Sequence, residues 1–253
     1  MGPIVHTYLD HPGILAFAHR GDHESGPENT MAAFAGAVAL GYKYLETDAH
    51  CTADGVLLAF HDDRLERVTD GAGVIAQMPY TQVKVSLVAG TEPIPLLEDL
   101  INDFPDTRFN IDLKADNTVV PFIKLLKRSR CLDRVCVGSF NDRRVVAIRQ
   151  AFPRICTSMG PIEVIRARLG SYRMPFARLR APCAQVPMRW GKFSVVDNRF
   201  IAAMQALRIQ THVWTINDPQ MMHSLVDLGV EGIMTDYPAR LKAVLLANNA
   251  WFD

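Results

Sequence analysis

Apolar residues gather in short runs, at residues 14–18, 44–48, 108–114, 134–138, 155–159, 183–187, 211–216 and 232–236, separated by helix-like stretches. Runs of this length read as buried strands, and strands that alternate with helices pair in parallel. Eight such units over 253 residues predict a closed (β/α)8 barrel of the TIM type, whose usual size is about 250 residues. An open doubly wound sheet is the alternative, but no GxGxxG turn follows the first run to support it.

A ninth run, residues 56–60, is separated from the second strand only by residues 51–55. A parallel crossover needs a dozen or more residues, so these two strands must form an antiparallel hairpin. Asp54-Gly55 is a strong two-residue turn signal. Centring the turn there places Ala53 opposite Val56 and Asp48 opposite His61, which returns His61 beside the Asp48 carboxylate above the barrel mouth. Asn29 or Thr30 caps a helix from Met31 to Leu40, with Gly41 as its stop. Residues 97–104 form another helix. Residues 63–92 carry Asp70-Gly71, Gly73, Pro79 and Gly90 and read as a short cap insertion over the mouth. With no linker or internal repeat, residues 1–253 read as one domain, with the hairpin and cap at about 49–95.

Composition narrows the partners. Lysine plus arginine equals aspartate plus glutamate, 27 each, so no global field draws the chain to nucleic acid. Residues 1–10 lack a basic segment followed by a long apolar one, so neither secretion nor membrane spanning is signalled and a cytoplasmic location is expected. The five cysteines are scattered without a CxxC pair, which suits small buried thiols better than disulfides or zinc. Oligomeric state is not encoded legibly.

The C-terminal ends of barrel strands form the active face. Here those tips carry His19-Arg20, Glu46 and Asp48, Asp112 and Lys114, Trp214 and Asp236. Glu46 and Asp48 share one strand face, as do Asp112 and Lys114, because side chains alternate. Three carboxylates, Glu46, Asp48 and Asp112, with no thiolate suit one hard divalent cation, Mg²⁺ or Ca²⁺, completed by water and a phosphoryl oxygen. Without it they would repel one another, and at least one would tend to stay protonated. Asp112-x-Lys114 alone would read as an ion pair; the Glu-x-Asp on the preceding strand favours the metal. His19 and His61 can serve as acid and base beside a metal-bound phosphodiester. His6, His11, His50, His212 and His223 read as surface or core residues, and His23 is a lesser candidate. Arg20 and Lys114 can neutralise phosphate oxygens. A strand-end tryptophan such as Trp214 is either a core plug or a ligand platform.

In order, His19-Arg20-Gly21, Pro27-Glu28-Asn29-Thr30, Glu46-Thr47-Asp48, Thr52-x-Asp54-Gly55, His61-Asp62, Asp112-Leu113-Lys114, Val213-Trp214-Thr215-Ile216-Asn217 and Thr235-Asp236-Tyr237-Pro238 resemble the glycerophosphodiester phosphodiesterase family. The match runs from about residue 14 to 242. The resemblance implies a phosphodiesterase barrel with catalytic His19 and His61, and metal ligands Glu46, Asp48 and the acid before Lys114. It also implies substrate contacts from Arg20, Lys114 and Trp214, with Glu28 in support. The expected reaction is metal-dependent hydrolysis of a small glycerophosphodiester to glycerol 3-phosphate and an alcohol. Lysophospholipase D-like or sphingomyelinase D-like cleavage of a lysophospholipid head group is the alternative. The third metal position is usually glutamate in that family and is Asp112 here, which predicts a water bridge, a larger cation or weaker binding. The insertion at 63–92 is short for the family.

Arg166, Arg168, Arg173, Arg178, Arg180 and Arg189 lie in residues 161–190, whose only carboxylate is Glu163. Such a stretch reads first as a solvated helix and loop whose arginine stems cover apolar surface, and second as docking on anionic lipid or an extension of the substrate groove.

Overall fold

The computed structural model describes residues 6–175 and 179–252. In chain order it contains β1 (Leu15–His19), α1 (Met31–Ala39), β2 (Tyr44–Cys51), β3 (Leu57–Ala59), α2 (Tyr80–Val83), β4 (Leu87–Val88), β5 (Glu92–Pro93), α3 (Leu97–Asp103) and β6 (Arg108–Leu113). There follow α4 (Val119–Arg128), β7 (Val135–Gly138), α5 (Asp142–Ala151), β8 (Cys156–Thr157), α6 (Pro161–Ser171), β9 (Cys183–Pro187), β10 (Arg189–Trp190) and β11 (Phe193–Ser194). The chain closes with α7 (Asn198–Ala206), β12 (Gln210–Trp214), α8 (Pro219–Leu228), β13 (Gly232–Thr235) and α9 (Pro238–Ala247).

All eight expected runs become barrel strands, in the order β8-β7-β6-β2-β1-β13-β12-β9. Neighbours along this path pair in parallel. The two ends meet at a parallel bridge between Ser158 and Cys183, and Met159 N–H donates to the Cys183 carbonyl at 3.0 Å. Closure by this contact leaves the doubly wound alternative without support. Among the described residues no helix is long and apolar enough to cross a membrane.

The largest core lies between strands and helices, where Leu45, Phe109, Ile111, Val137, Val186 and Ile233 meet the inner faces of the helices. A second cluster fills the barrel interior: Tyr8, Leu15, Phe17, Tyr44 and Met234, with Cys136, Cys156 and Cys183. All five cysteines are free and buried, as expected. Two residues further along the same strands come Gly138, Ser158 and Gln185, which line the cavity at the mouth. The thiol layer therefore sits directly beneath the floor of the site.

The hairpin differs from expectation by one residue. Ala49 faces Ala59, His50 faces Leu58 and Cys51 faces Leu57, and Phe60 N–H donates to the Asp48 carbonyl at 2.9 Å. Asp48 thus lies opposite Phe60 and not His61. The connection is a three-residue loop, Ala53-Asp54-Gly55, bracketed by Thr52 N–H donating to the Val56 carbonyl at 3.0 Å. Gly55 takes φ +88°, the left-handed residue that closes such a loop. The Thr52 hydroxyl also bonds Asp54, at 2.6 Å, and accepts from Val56 N–H at 3.0 Å. A one-residue slip reverses the facing of the strand, so Leu58 and Phe60 turn into a small core with Leu65, Ile75, Val83, Val88 and Ile94. That core carries the insertion at 63–92, none of whose residues lines the cavity.

Candidate active site

The cavity at the C-terminal ends of the strands has a volume of about 720 Å³ and is lined by His19, Arg20, Glu46, Asp48, His61, Asp112, Lys114 and Trp214, among others. Eight of the nine residues singled out from the sequence therefore meet in one place. The ninth, Glu28, stands behind it.

Strand pairing explains the convergence. On neighbouring strands His19 is level with Glu46, and Asp48 with Asp112. After His19 the chain bends: Arg20 has φ +59° and Gly21 has φ +91°. In the bend Arg20 N–H lies 3.2 Å from a Glu46 carboxylate oxygen. The Arg20 side chain places Nε 3.0 Å from Asp48 Oδ2, an ion contact without hydrogen-bond alignment, and donates from Nη1 to Glu28 at 2.9 Å. A Cβ on Gly21 would meet the backbone and side chain of Ala33 at 2.7 Å. Gly21→Ala should consequently destabilise the protein by about 1–3 kcal/mol through overpacking and left-handed strain, readable as a lowered thermal midpoint.

Each histidine is held by a carboxylate. His19 Nδ1 lies 2.6 Å from Asp236 Oδ1, and His61 Nδ1 lies 2.5 Å from Asp62 Oδ1. An ionised carboxylate only accepts, so Nδ1 carries the proton in both rings and Nε2 is left for a ligand. The Nε2 of His19 is 3.8 Å from Glu46. Burial opposes a charged His19, but Glu46 and Asp236 outweigh it and raise its pKa. Asp236 is fixed in turn by Asn217 Nδ2 at 2.7 Å. The backbone carbonyl of His61 accepts from His50 Nε2 at 3.0 Å, which anchors the residue beyond the end of the hairpin. His23 donates to the His19 carbonyl at 3.1 Å and does not line the cavity.

The carboxylates are buried and unevenly satisfied. Lys114 Nζ lies 3.3 Å from Asp48 and 3.1 Å from Asp112. Burial alone would push Asp48 up, but Lys114 and Arg20 hold it below the usual carboxylate range. For Glu46 the balance falls the other way: burial, with the Asp48 charge, outweighs His19 and Arg20 and pushes it up to about 7. Burial, together with Asp48, also raises Asp112 more than Lys114 lowers it. Asp112 Oδ1 is buried without a hydrogen-bond partner. The set is acid-rich, all oxygen and incompletely neutralised, which fits a hard cation. It is not tightly drawn together. Among the described residues the group of three metal-capable atoms all within 4.8 Å of one another is that of Cys136, Cys156 and Cys183, not the carboxylates.

Several contributors escaped the sequence reading. The sequence places Asp236 at a strand tip without marking it as the partner of His19. Barrel closure pairs Ala18 with Thr235, so the neighbouring position was derivable from topology. Asp62 follows His61 directly. Arg67 carries no local signal, yet it bonds Asp62 and also Glu28 at 2.7 and 2.9 Å. Glu28 thereby links Arg20 to Arg67 behind the cavity wall. Asn29 Nδ2 donates to Asp48 at 3.2 Å and its Oδ1 accepts from Thr47 at 2.8 Å. Trp214 packs edge-on to Phe140, with ring centroids 5.7 Å apart, and Lys114 Nζ lies 5.6 Å from the same Phe140 ring centre.

A closed parallel barrel whose mouth gathers two carboxylate-held histidines, three buried acids and two cations has the form of a phosphodiester hydrolase. Residues 19–240 match the model of the Glycerophosphoryl diester phosphodiesterase family, and the chain belongs to that family. It is 36% identical to the probable glycerophosphodiester phosphodiesterase 2 of Mycobacterium tuberculosis, over 96% of this chain and 95% of that protein. It is 29% identical to a lysophospholipase D of Homo sapiens, over 90% and 85%. Among solved structures, a putative glycerophosphoryl diester phosphodiesterase from Silicibacter pomeroyi superposes with a TM-score of 0.81 at 22% identity, covering 97% of this chain and 98% of that one. A phosphodiesterase from Oleispira antarctica, in complex with the product sn-glycerol-3-phosphate, superposes with a TM-score of 0.78 at 24% identity, covering 92% and 97%. The protein is accordingly a phosphodiester hydrolase that acts on glycerophosphodiesters.

Proposed function

We propose that the protein hydrolyses a glycerophosphodiester to glycerol 3-phosphate and an alcohol, using His19 and His61 as acid and base. The observation that carries this reading is the pair of histidines pinned through Nδ1 to Asp236 and Asp62 in the cavity that holds Glu46, Asp48 and Asp112. One Nε2 accepts the proton of the attacking oxygen as the new P–O bond forms: attack by water gives glycerol 3-phosphate directly, whereas attack by the glycerol 2-hydroxyl gives a cyclic phosphate that water opens in a second step, breaking the bond to that hydroxyl oxygen. The other histidine delivers a proton to the alkoxide as the old P–O bond breaks. Arg20 and Lys114 hold the phosphate oxygens, and Trp214 offers an aromatic wall to the rest of the substrate.

Glu46, Asp48 and Asp112 would hold one divalent cation, Mg²⁺ or Ca²⁺. Such an ion, when bound, supplies charge that polarises the phosphoryl group. The unpartnered Asp112 Oδ1 and the raised Glu46 support this assignment. The loose spacing of the acids and the short Asp112 side chain suit a cation that keeps water among its ligands.

Asp236→Asn should lower kcat by about tenfold or more, because the amide can donate and so favours the wrong histidine tautomer. An unchanged kcat would remove His19 positioning from the account. The direct test of the reaction is detection of glycerol 3-phosphate after incubation with glycerophosphocholine, glycerophosphoethanolamine or glycerophosphoglycerol.

A single-chain lysophospholipid is a second reading of the substrate. It is favoured by the apolar wall that Met159, Val164, Val186, Trp190 and Val195 add to the cavity lining, side chains that carry no phosphate-binding group.

A further inference from the structure

The apolar wall does not stop at the cavity. It runs outward onto the hairpin of β10 and β11, where Trp190 lies opposite Phe193 and Arg189 opposite Ser194 across the two-residue turn Gly191-Lys192. Residues directly opposite on paired strands project from the same face. Trp190 is 58% exposed and Phe193 81% exposed, so two aromatic rings share an uncovered face at the edge of the mouth. Arg189 and Lys192 flank them and are also exposed.

A second element shares this character. Pro161 and Val164 at the start of α6 line the same cavity as Arg189 and Trp190. Along α6 and just beyond it, Ile162, Ile165, Leu169, Tyr172 and Met174 are exposed, as are Arg166 and Arg173. Arg168 turns back, to Asp197 at 2.6 Å and to the Tyr172 hydroxyl. From residue 164 to 196 the sequence contains seven lysines and arginines and no aspartate or glutamate. Arg178 lies outside the described residues. In a chain with equal numbers of acids and bases, this segment is a local exception of one sign.

Exposed aromatic rings interleaved with cations, and no acids, are the chemistry of a surface that meets anionic lipid: the rings enter the head-group layer while the cations meet phosphates. Two projecting rings on a two-residue turn suit insertion into a head-group layer, which needs no shaped recess to receive them. We propose that the tip of the β10–β11 hairpin, with the adjoining exposed face of α6, docks the protein on an anionic lipid surface, with the cavity opening beside the contact. A single-chain phosphodiester could then pass from the surface along Trp190 and Val164 to the phosphate site. This delivery rests on the lysophospholipid reading of the cavity; the docking itself does not.

Sedimentation with vesicles of phosphatidylcholine, with and without phosphatidylglycerol, tests the docking. The protein should bind the anionic vesicles at low salt, bind them less as salt rises, and ignore the neutral ones. Phe193→Asp and Lys192→Glu, both at exposed positions of the hairpin that do not line the cavity, should each reduce binding by about fivefold or more while leaving turnover of soluble glycerophosphocholine unchanged. Absence of binding to anionic vesicles at low salt overturns the proposal, as does binding of Phe193→Asp equal to that of the unaltered protein. Vesicle binding without cleavage of lysophosphatidylcholine upholds the docking and removes the lysophospholipid reading instead.

Discussion

Replacing His19 or His61 with alanine is expected to lower kcat by about 10²- to 10⁴-fold, the usual contribution of a positioned acid or base. The fold should survive both changes. Asp236 keeps its bond from Asn217 at 2.7 Å when His19 is removed, and Asp62 keeps Arg67 when His61 is removed. The remaining loss is of the order of one hydrogen bond, roughly 1 kcal/mol, and lowers the thermal midpoint by about 2–4 °C in a domain of this size. A near-normal kcat in either variant would take that histidine out of the mechanism. A collapse of thermal stability would show that the activity loss has a structural origin.

The second large effect concerns the acids. Stripping divalent cations with a chelator should abolish turnover, and restoring Mg²⁺ or Ca²⁺ should recover it. Glu46→Gln, Asp48→Asn and Asp112→Asn should each weaken cation binding measured by calorimetry without substrate, because a hard cation needs anionic oxygen donors. Asp112→Glu is the informative substitution. Its extra methylene carries the carboxylate further into a set whose oxygens are not drawn within 4.8 Å of one another, so it should tighten binding. Weaker binding by Asp112→Glu would mean that Lys114, 3.1 Å from Asp112, and not spacing, controls the affinity. Full turnover after exhaustive chelation would contradict the metal assignment altogether.

Much of the fold was legible because a parallel strand buried on both faces leaves a run of apolar residues that survives inspection residue by residue. The eight runs become the eight barrel strands, and strand tips on one side follow from the topology alone. The hairpin register was legible only in part. Asp54-Gly55 marks a turn, but whether the loop has two or three residues depends on Thr52 bonding across it, which spacing does not reveal. His61 consequently reaches the mouth by a different route, held by His50 and Asp62. Arg67 was invisible because its value lies in two partners, Glu28 and Asp62, brought together by the insertion. Asp236 was half visible: its place at a strand tip is in the sequence, but its partner is set by barrel closure between the first and last strands. The exposed face of Trp190 and Phe193 likewise needs the pairing of a short hairpin, which a six-residue segment does not announce.

The central claim is that the residues of this mouth cleave a glycerophosphodiester with the aid of a divalent cation. Release of glycerol 3-phosphate from glycerophosphocholine, followed with metal-stripped protein before and after addition of Mg²⁺ or Ca²⁺, tests it most directly. The stripped protein should release none, the protein with the cation restored should release it, and His19→Ala should release at least about a hundredfold less under the same conditions. Equal release from stripped protein, or from His19→Ala with the cation restored, would contradict the claim.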